Sequence, residues 1–125
     1  MSWNTYVENL EKTGFVQKAA VCGQDGSVWA VSAGWDVTPA EVKKLSSSFN
    51  DKEALSQSGM HIGNEKFFYL GGEENELKGK KGQAGIHVAK SKTAIIIGYY
   101  EQPIQHCQCA KEVYNVAMYL KELQY

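Results

Sequence analysis

Three groups of residues in this 125-residue chain have side chains and spacing that could do chemistry. The first is His106-Cys107-Gln108-Cys109, with an imidazole and two thiols that serve elsewhere as metal ligands or nucleophiles. Zinc takes four ligands, commonly in Cys pairs separated by two to four residues, so a C-x-C beside one histidine falls short. A helix would also turn Cys107 and Cys109 about 200° apart. The expectation is therefore no metal, with Cys109 in a core and Cys107 partly exposed. The second group is Gly79-Lys80-Lys81-Gly82-Gln83-Ala84-Gly85, which lacks the Gly-Lys-Ser/Thr ending of a phosphate loop. His61 and His87 lie in strand-like segments with no serine or cysteine arranged as a nucleophile pair. Neither G-x-S-x-G nor H-E-x-x-H occurs. Neither catalysis nor a cofactor is expected.

The third group is aromatic, and its chemistry is binding. Trp3, Tyr6, Val7 and Leu10 fall on the i, i+3, i+4, i+7 stripe of an amphipathic helix capped by Ser2. Asn4, Thr5, Glu8, Asn9 and Glu11 take the other side. Near the end of the chain, Cys109, Val113, Val116, Ala117, Leu120 and Leu123 form one continuous core stripe at about 100° per residue. Tyr119 lies on one flank of that stripe. Tyr114 and Met118 lie beyond the other, near Lys111, and Tyr125 follows the helix. Trp and Tyr carry a polar N–H or O–H that suits a half-exposed surface better than a sealed interior. If the two terminal helices are neighbours, Trp3, Tyr6, Trp29, Tyr119 and Tyr125 can line one shallow groove. Pre-extended polyproline II segments dock on such rings at small entropic cost. Both readings stay open for these rings, and Trp29 in particular suits either a core or the groove.

The elements that must position these residues follow from pattern and punctuation. After the first helix, QKAAVCG and SVWAVSAGW read as strands joined by a QDGS hairpin turn. TPAEVKKLSSSF opens a second helix with Thr38 as N-cap, Pro39 at N1 and Glu41 at N3. NDKEALSQSG adds a short helical segment. MHIG, KFFYLGG, ELKGKKG, AGIHVAKS and TAIIIGYY follow as strands broken by NE, GEEN, GQ and KT turns. A helix from about Gln105 to Leu123 closes the order. Runs of adjacent strands between helices indicate an α+β fold, with six to seven strands in a central antiparallel sheet, one face of which the terminal helices could share.

Net charge is −1, and all 13 basic residues are lysine. Without arginine the chain lacks the fork favoured for guanine edges and phosphates, so a nucleic-acid reader is not expected. The N-terminus has no basic stretch followed by an apolar run, and AIIIGYY is too short to span a bilayer. An odd set of cysteines, Cys22, Cys107 and Cys109, and the absence of an N-x-[ST] sequon favour a reducing cytosol. Lys78, Lys80, Lys81, Lys90 and Lys92 come without an intervening acid. This run is either a solvated face or a patch that meets an acidic partner.

SWNTYVENL, GSVWAVSAGW, LKGKKGQAGIHVAKSKTAIIIGYY and VAMYLKELQY, in that order and across nearly the whole chain, resemble the profilin family of actin-monomer-binding proteins. The resemblance implies a single domain over residues 1–125, with the terminal helices on one face of the sheet and two short helices on the other. It implies a polyproline site of Trp3, Tyr6, Trp29, Tyr119, Leu120 and Tyr125. It implies an actin face of Tyr69, Lys80, Lys81, Lys111, Tyr114 and Asn115, on the flank of the last helix opposite Tyr119. Phosphoinositide headgroups are implied at Lys80, Lys81 and Lys90. The expected partners are monomeric actin and proline-rich proteins, with phosphoinositides at the membrane surface, for a cytoplasmic, cytoskeleton-associated monomer. The family often has Pro-Gly where this chain has His106-Cys107, and acids where Tyr114 and Met118 stand. The alternative is a non-catalytic α+β scaffold that dimerises through its terminal-helix aromatics.

Overall fold

The computed structural model describes residues 3–72 and 75–125. Ser2, the expected helix cap, lies outside them, as does part of the GEEN turn. In chain order the elements are α1 (Trp3–Lys12), β1 (Lys18–Gly23), β2 (Val28–Val31), α2 (Pro39–Ser48), α3 (Lys52–Ser58), β3 (Met60–Ile62), β4 (Glu65–Gly71), β5 (Glu76–Lys81), β6 (Ala84–Lys90), β7 (Ala94–Glu101) and α4 (His106–Glu122). Among the described residues the strands form one sheet in the order β2-β1-β7-β6-β5-β4-β3. Every pairing is antiparallel.

β7 lies near the middle of this sheet and is covered on both faces, which explains its unbroken apolar run. Ile95, Ile97 and Tyr99 enter one core with Trp35, Val42, Leu45, Phe49 and Leu55 from the α2/α3 side. Ala94, Ile96 and Tyr100 enter the other with Tyr6, Val7 and Leu10 of α1 and Cys109, Val113, Ala117 and Leu120 of α4. The α+β class is as expected from the order of elements, and the division of helices between the two faces is as the resemblance implies. Gly98 lets α4 seat on the sheet, because a Cβ there would stand 2.5 Å from Val113 Cγ2 and 3.1 Å from Cys109 Sγ. The α2 start is also as expected. Thr38 Oγ1 accepts from the Glu41 amide, and Glu41 accepts from the Thr38 amide. The same Glu41 carboxylate accepts from Gly63 and Asn64 and so ties α2 to the β3–β4 turn.

Two expectations about extent are corrected. The second strand stops at Val31, because the chain turns there and the Trp35 amide bonds back to the Ser32 carbonyl, placing Trp35 in the α2/α3 core. Leu123 leaves the core stripe. It is the C-cap residue of α4 and is 45% exposed, since the helix no longer carries its side chain toward the sheet.

Candidate functional site

The five rings meet at the junction of α1, α4 and β2. Trp3 is the hub, with its centroid 4.6 Å from Trp29, 5.1 Å from Tyr125 and 5.6 Å from Tyr6. Tyr6 continues the series to Tyr119 at 6.1 Å. Tilted and edge-on contacts at these separations are the favoured aromatic geometries. The rings therefore support one another while leaving faces open: Tyr119 and Tyr125 are 45% and 44% exposed, and Trp3 and Trp29 are half-buried. Tyr6 is buried between its neighbours. Burial, reinforced by the Tyr119 and Tyr125 phenols, raises its hydroxyl above the ordinary 10.

Local backbone features place two of the rings. Cys22 pairs with Val28 and Val21 with Ala30, so Trp29 is the extra residue of a β-bulge and turns, like Ala30, toward α1. Gly23 clears space for it, because a Cβ there would approach the Trp29 ring to 2.9 Å. Tyr125 is held by main-chain bonds: its N–H donates to the Leu120 carbonyl, and its carbonyl accepts from the Lys92 amide. Leu120, expected within the ligand site, is fully buried. It props the rings from beneath and presents no surface of its own.

The cleft between α1 and α4 continues past Tyr6 and Tyr119. There it encloses about 310 Å³ lined by Asn9, Leu10 and Thr13 from α1 and Glu112, Asn115 and Val116 from α4. This corrects the placement of Asn115, which shares the cleft with Tyr119 instead of lying on the opposite flank with Tyr114.

A second surface lies across α4, over β4, β5 and β6. Lys78, Lys111 and Tyr114 line a cavity of about 440 Å³ together with Cys107. Lys80 stands nearby, beside Gln105 and His106. Strand alternation divides the lysine run that the sequence presents as one patch. Leu77 and Gly79 are buried toward the α2/α3 core, so Lys78 and Lys80 face α4. Lys81 points the other way and lies 3.9 Å from Glu65. Lys90 sits 5.1 Å from the Phe49 ring centroid, also on the α2/α3 side. The three lysines expected at a phosphoinositide headgroup therefore do not converge. Tyr69 is likewise turned to the α2/α3 side, where it packs on that core. The β4 residue that shares a face with Lys80 is its cross-strand partner Phe68, 66% exposed. Sequence reasoning missed it. KFFYLGG is apolar throughout, and only the register tells which phenylalanine faces solvent.

Beneath this surface a polar chain joins α4 to the sheet. His87 Nε2 is 2.8 Å from Glu76 Oε1, His87 Nδ1 is 3.3 Å from His106 Nε2, and His106 Nδ1 is 2.9 Å from the Tyr100 hydroxyl. Glu76 accepts only, so His87 Nε2 carries a proton and its Nδ1 accepts from His106 Nε2–H. The Tyr100 hydroxyl then donates to His106 Nδ1. Burial, with His87 and Lys78 close by, lowers His106 from its ordinary 6.5 to about 4. Burial outweighs the Glu76 bond and pushes His87 down as well, so at neutral pH the His87–Glu76 contact is a hydrogen bond between a neutral ring and a carboxylate. His106 is committed to this chain, Cys107 is exposed and Cys109 is buried. Burial pushes the Cys109 thiol up to about 12. Among the described residues no three His, Cys, Asp or Glu side chains are placed to hold a metal ion. No helix among the described residues is long and apolar enough to cross a membrane.

Comparison with known proteins gives one family. The family model described as Profilin matches residues 1–125. A profilin of Branchiostoma belcheri is 41% identical over 121 residues, covering 96% of each chain. The crystal structure of Acanthamoeba castellanii profilin II has a TM-score of 0.95 at 38% identity, covering 99% of this chain and 100% of that one. The fold also matches mouse profilin IIa in complex with a double repeat from the FH1 domain of mDia1, at a TM-score of 0.85 and 22% identity, over all of both chains.

Proposed function

The chain belongs to the profilin family, and from that membership and the ring geometry we propose how it works: as one domain over residues 1–125, it binds monomeric actin and proline-rich segments on two separate surfaces. It acts by binding alone, without catalysis, in the cytoplasm beside the actin cytoskeleton. The observation that carries this reading is the continuous shelf of Trp3, Trp29, Tyr125, Tyr6 and Tyr119. A polyproline II segment is already extended and lays flat pyrrolidine rings on such a shelf, while the indole N–H and phenol O–H groups donate to its free carbonyls. Trp3, Tyr6, Trp29, Tyr119 and Tyr125 make the contacts, and Leu120 supports them from below.

The actin-facing surface consists of Lys80, Lys111 and Tyr114, extended by Lys78 and Phe68. Its lysines meet an acidic partner surface and steer the encounter, and the exposed rings supply apolar area at its centre. A monomer held here has one end blocked against spontaneous nucleation, while the ring shelf stays free to reach proline-rich assembly factors.

Tryptophan fluorescence titrated with a proline-rich peptide tests the shelf, with a peptide of matched composition but substituted prolines as control. A saturable change is expected for the proline peptide alone. Trp3→Ala, shown by circular dichroism to remain folded, should weaken it by about tenfold or more, because Trp3 touches three other rings and is the central anchor. A flat titration with the folded wild type would sink the reading.

A further inference from the structure

The cleft beyond Tyr6 and Tyr119 has polar walls that the ring shelf does not use. From Tyr6 to Thr13 on α1, and from Tyr119 back to Glu112 on α4, it runs two helical turns, about 10 Å. It is continuous with the shelf, because Tyr6 and Tyr119 belong to both. Leu10 and Val116 form its apolar floor. The exposed amides of Asn9 and Asn115 stand on its rims, while the Thr13 hydroxyl is already committed to the Leu10 carbonyl. Among the described residues, Glu112 is the one charged side chain that lines it, and it is only half-buried. Lys111, the neighbouring cation, lines the cavity on the opposite side of α4. Among the described residues no lysine stands within 4.0 Å of the Glu112 carboxylate, so the far end of the cleft presents a carboxylate without an ion-pair partner.

We propose that this cleft is an extension of the proline-rich-ligand groove in which Glu112 selects a cationic side chain, lysine or arginine, flanking the proline run. The proposal rests on the reading of the ring shelf given above. A polyproline II chain rises about 3.1 Å per residue, so a 10 Å cleft accommodates roughly three residues past the proline that stacks on Tyr6 and Tyr119. Asn9 and Asn115 bond the backbone of that segment, and its terminal cation reaches the Glu112 carboxylate. Proline-rich ligands of similar ring-binding strength are thereby sorted by the charge that follows their prolines.

The test uses decaproline with both ends blocked and versions extended at either end by two alanines and a lysine, norleucine or glutamate. Binding is read by tryptophan fluorescence. At one of the two ends, the lysine peptide should bind about three- to tenfold more tightly than its norleucine counterpart, and the glutamate peptide more weakly than both. Added salt should shrink the lysine gain. Glu112→Gln should abolish that gain, whereas Glu8→Gln, exposed on α1 away from the cleft, should preserve it. Equal binding of the lysine and norleucine peptides at both ends would overturn the proposal, as would a lysine gain that survives Glu112→Gln. If blocked decaproline itself fails to bind, the shelf reading falls, and the extension falls with it.

Discussion

His106 opens α4 and carries the polar link between that helix and the sheet, through Tyr100 on one side and His87 on the other. With both imidazoles neutral, every ring nitrogen of the link has a complementary partner. Protonating His106 places a donor at each of its nitrogens and a charge beside Lys78 and Lys80, both of which act on it together with His87 and Glu76. Its folded value of about 4 lies below the ordinary 6.5, so the unfolded chain binds more protons between those values. This contribution is complete above pH 6.5 and is lost as pH falls toward 4. Urea unfolding should show roughly 1–2 kcal/mol of stability disappearing across that window, a figure discounted because the ring is partly solvated. His87 contributes in the same direction. His106→Asn should lower stability at neutral pH and flatten the slope between pH 6.5 and 5, above the range of ordinary carboxylates. An unchanged slope would mean that His106 does not titrate in this window. The adjacent pair Tyr119 and Leu120 shows the same dependence on burial. Placed one helical step apart, the tyrosine is 45% exposed and available to a ligand, and the leucine is sealed beneath it.

Within elements, periodicity decides which residues act together, and this is where sequence and structure part company. The helix stripes were legible because a 3.6-residue period is written over many positions, and α1 and α4 carry their core faces as read, apart from Leu123 at the C-cap. Strand faces need a register, which sequence alone does not supply for all-apolar KFFYLGG or all-polar KGKK. Lys80 and Lys81 read as one basic pair yet point to opposite faces, and Tyr69 gives way to Phe68 for the same reason. Asn115 shows the helical version, because one step of about 100° carries it from Tyr114's side of α4 toward Tyr119. Trp29, which the sequence leaves open between a core and the groove, joins the rings through a bulge that has no sequence signature. Alternation makes a sharp prediction for actin. Lys80→Glu should weaken monomer binding by about tenfold or more, through both lost attraction and new repulsion. Lys81→Glu, on the α2/α3 side, should change it by less than about twofold. Co-sedimentation or fluorescence anisotropy with labelled actin monomer separates the two, and equal losses would show that the sheet face does not define the contact.

At the scale of the molecule, one helix serves two surfaces. Tyr114 and Tyr119 are five residues apart, about 140° around α4, so a ligand on the ring shelf and a partner over β5 and β6 approach from opposite sides of the same cylinder. The two surfaces also differ in physics. The shelf is built from aromatic rings, whereas the sheet face is lined by Lys78, Lys80 and Lys111. Going from low to physiological salt should weaken actin binding several-fold and leave blocked decaproline within about twofold, because exposed charges are screened and ring stacking is not. On the proposed placement the surfaces do not overlap, so actin monomer, this 13.9 kDa chain and a labelled decaproline should sediment as one ternary species. The dimeric-scaffold alternative gives the opposite result. A dimer built on Trp3, Tyr6, Tyr119 and Tyr125 would bury the shelf, so decaproline would have to break it, and the free protein would sediment at twice the chain mass. A monomer that carries peptide and actin together excludes that arrangement. Mutual displacement of the two ligands would instead place them on one side of α4.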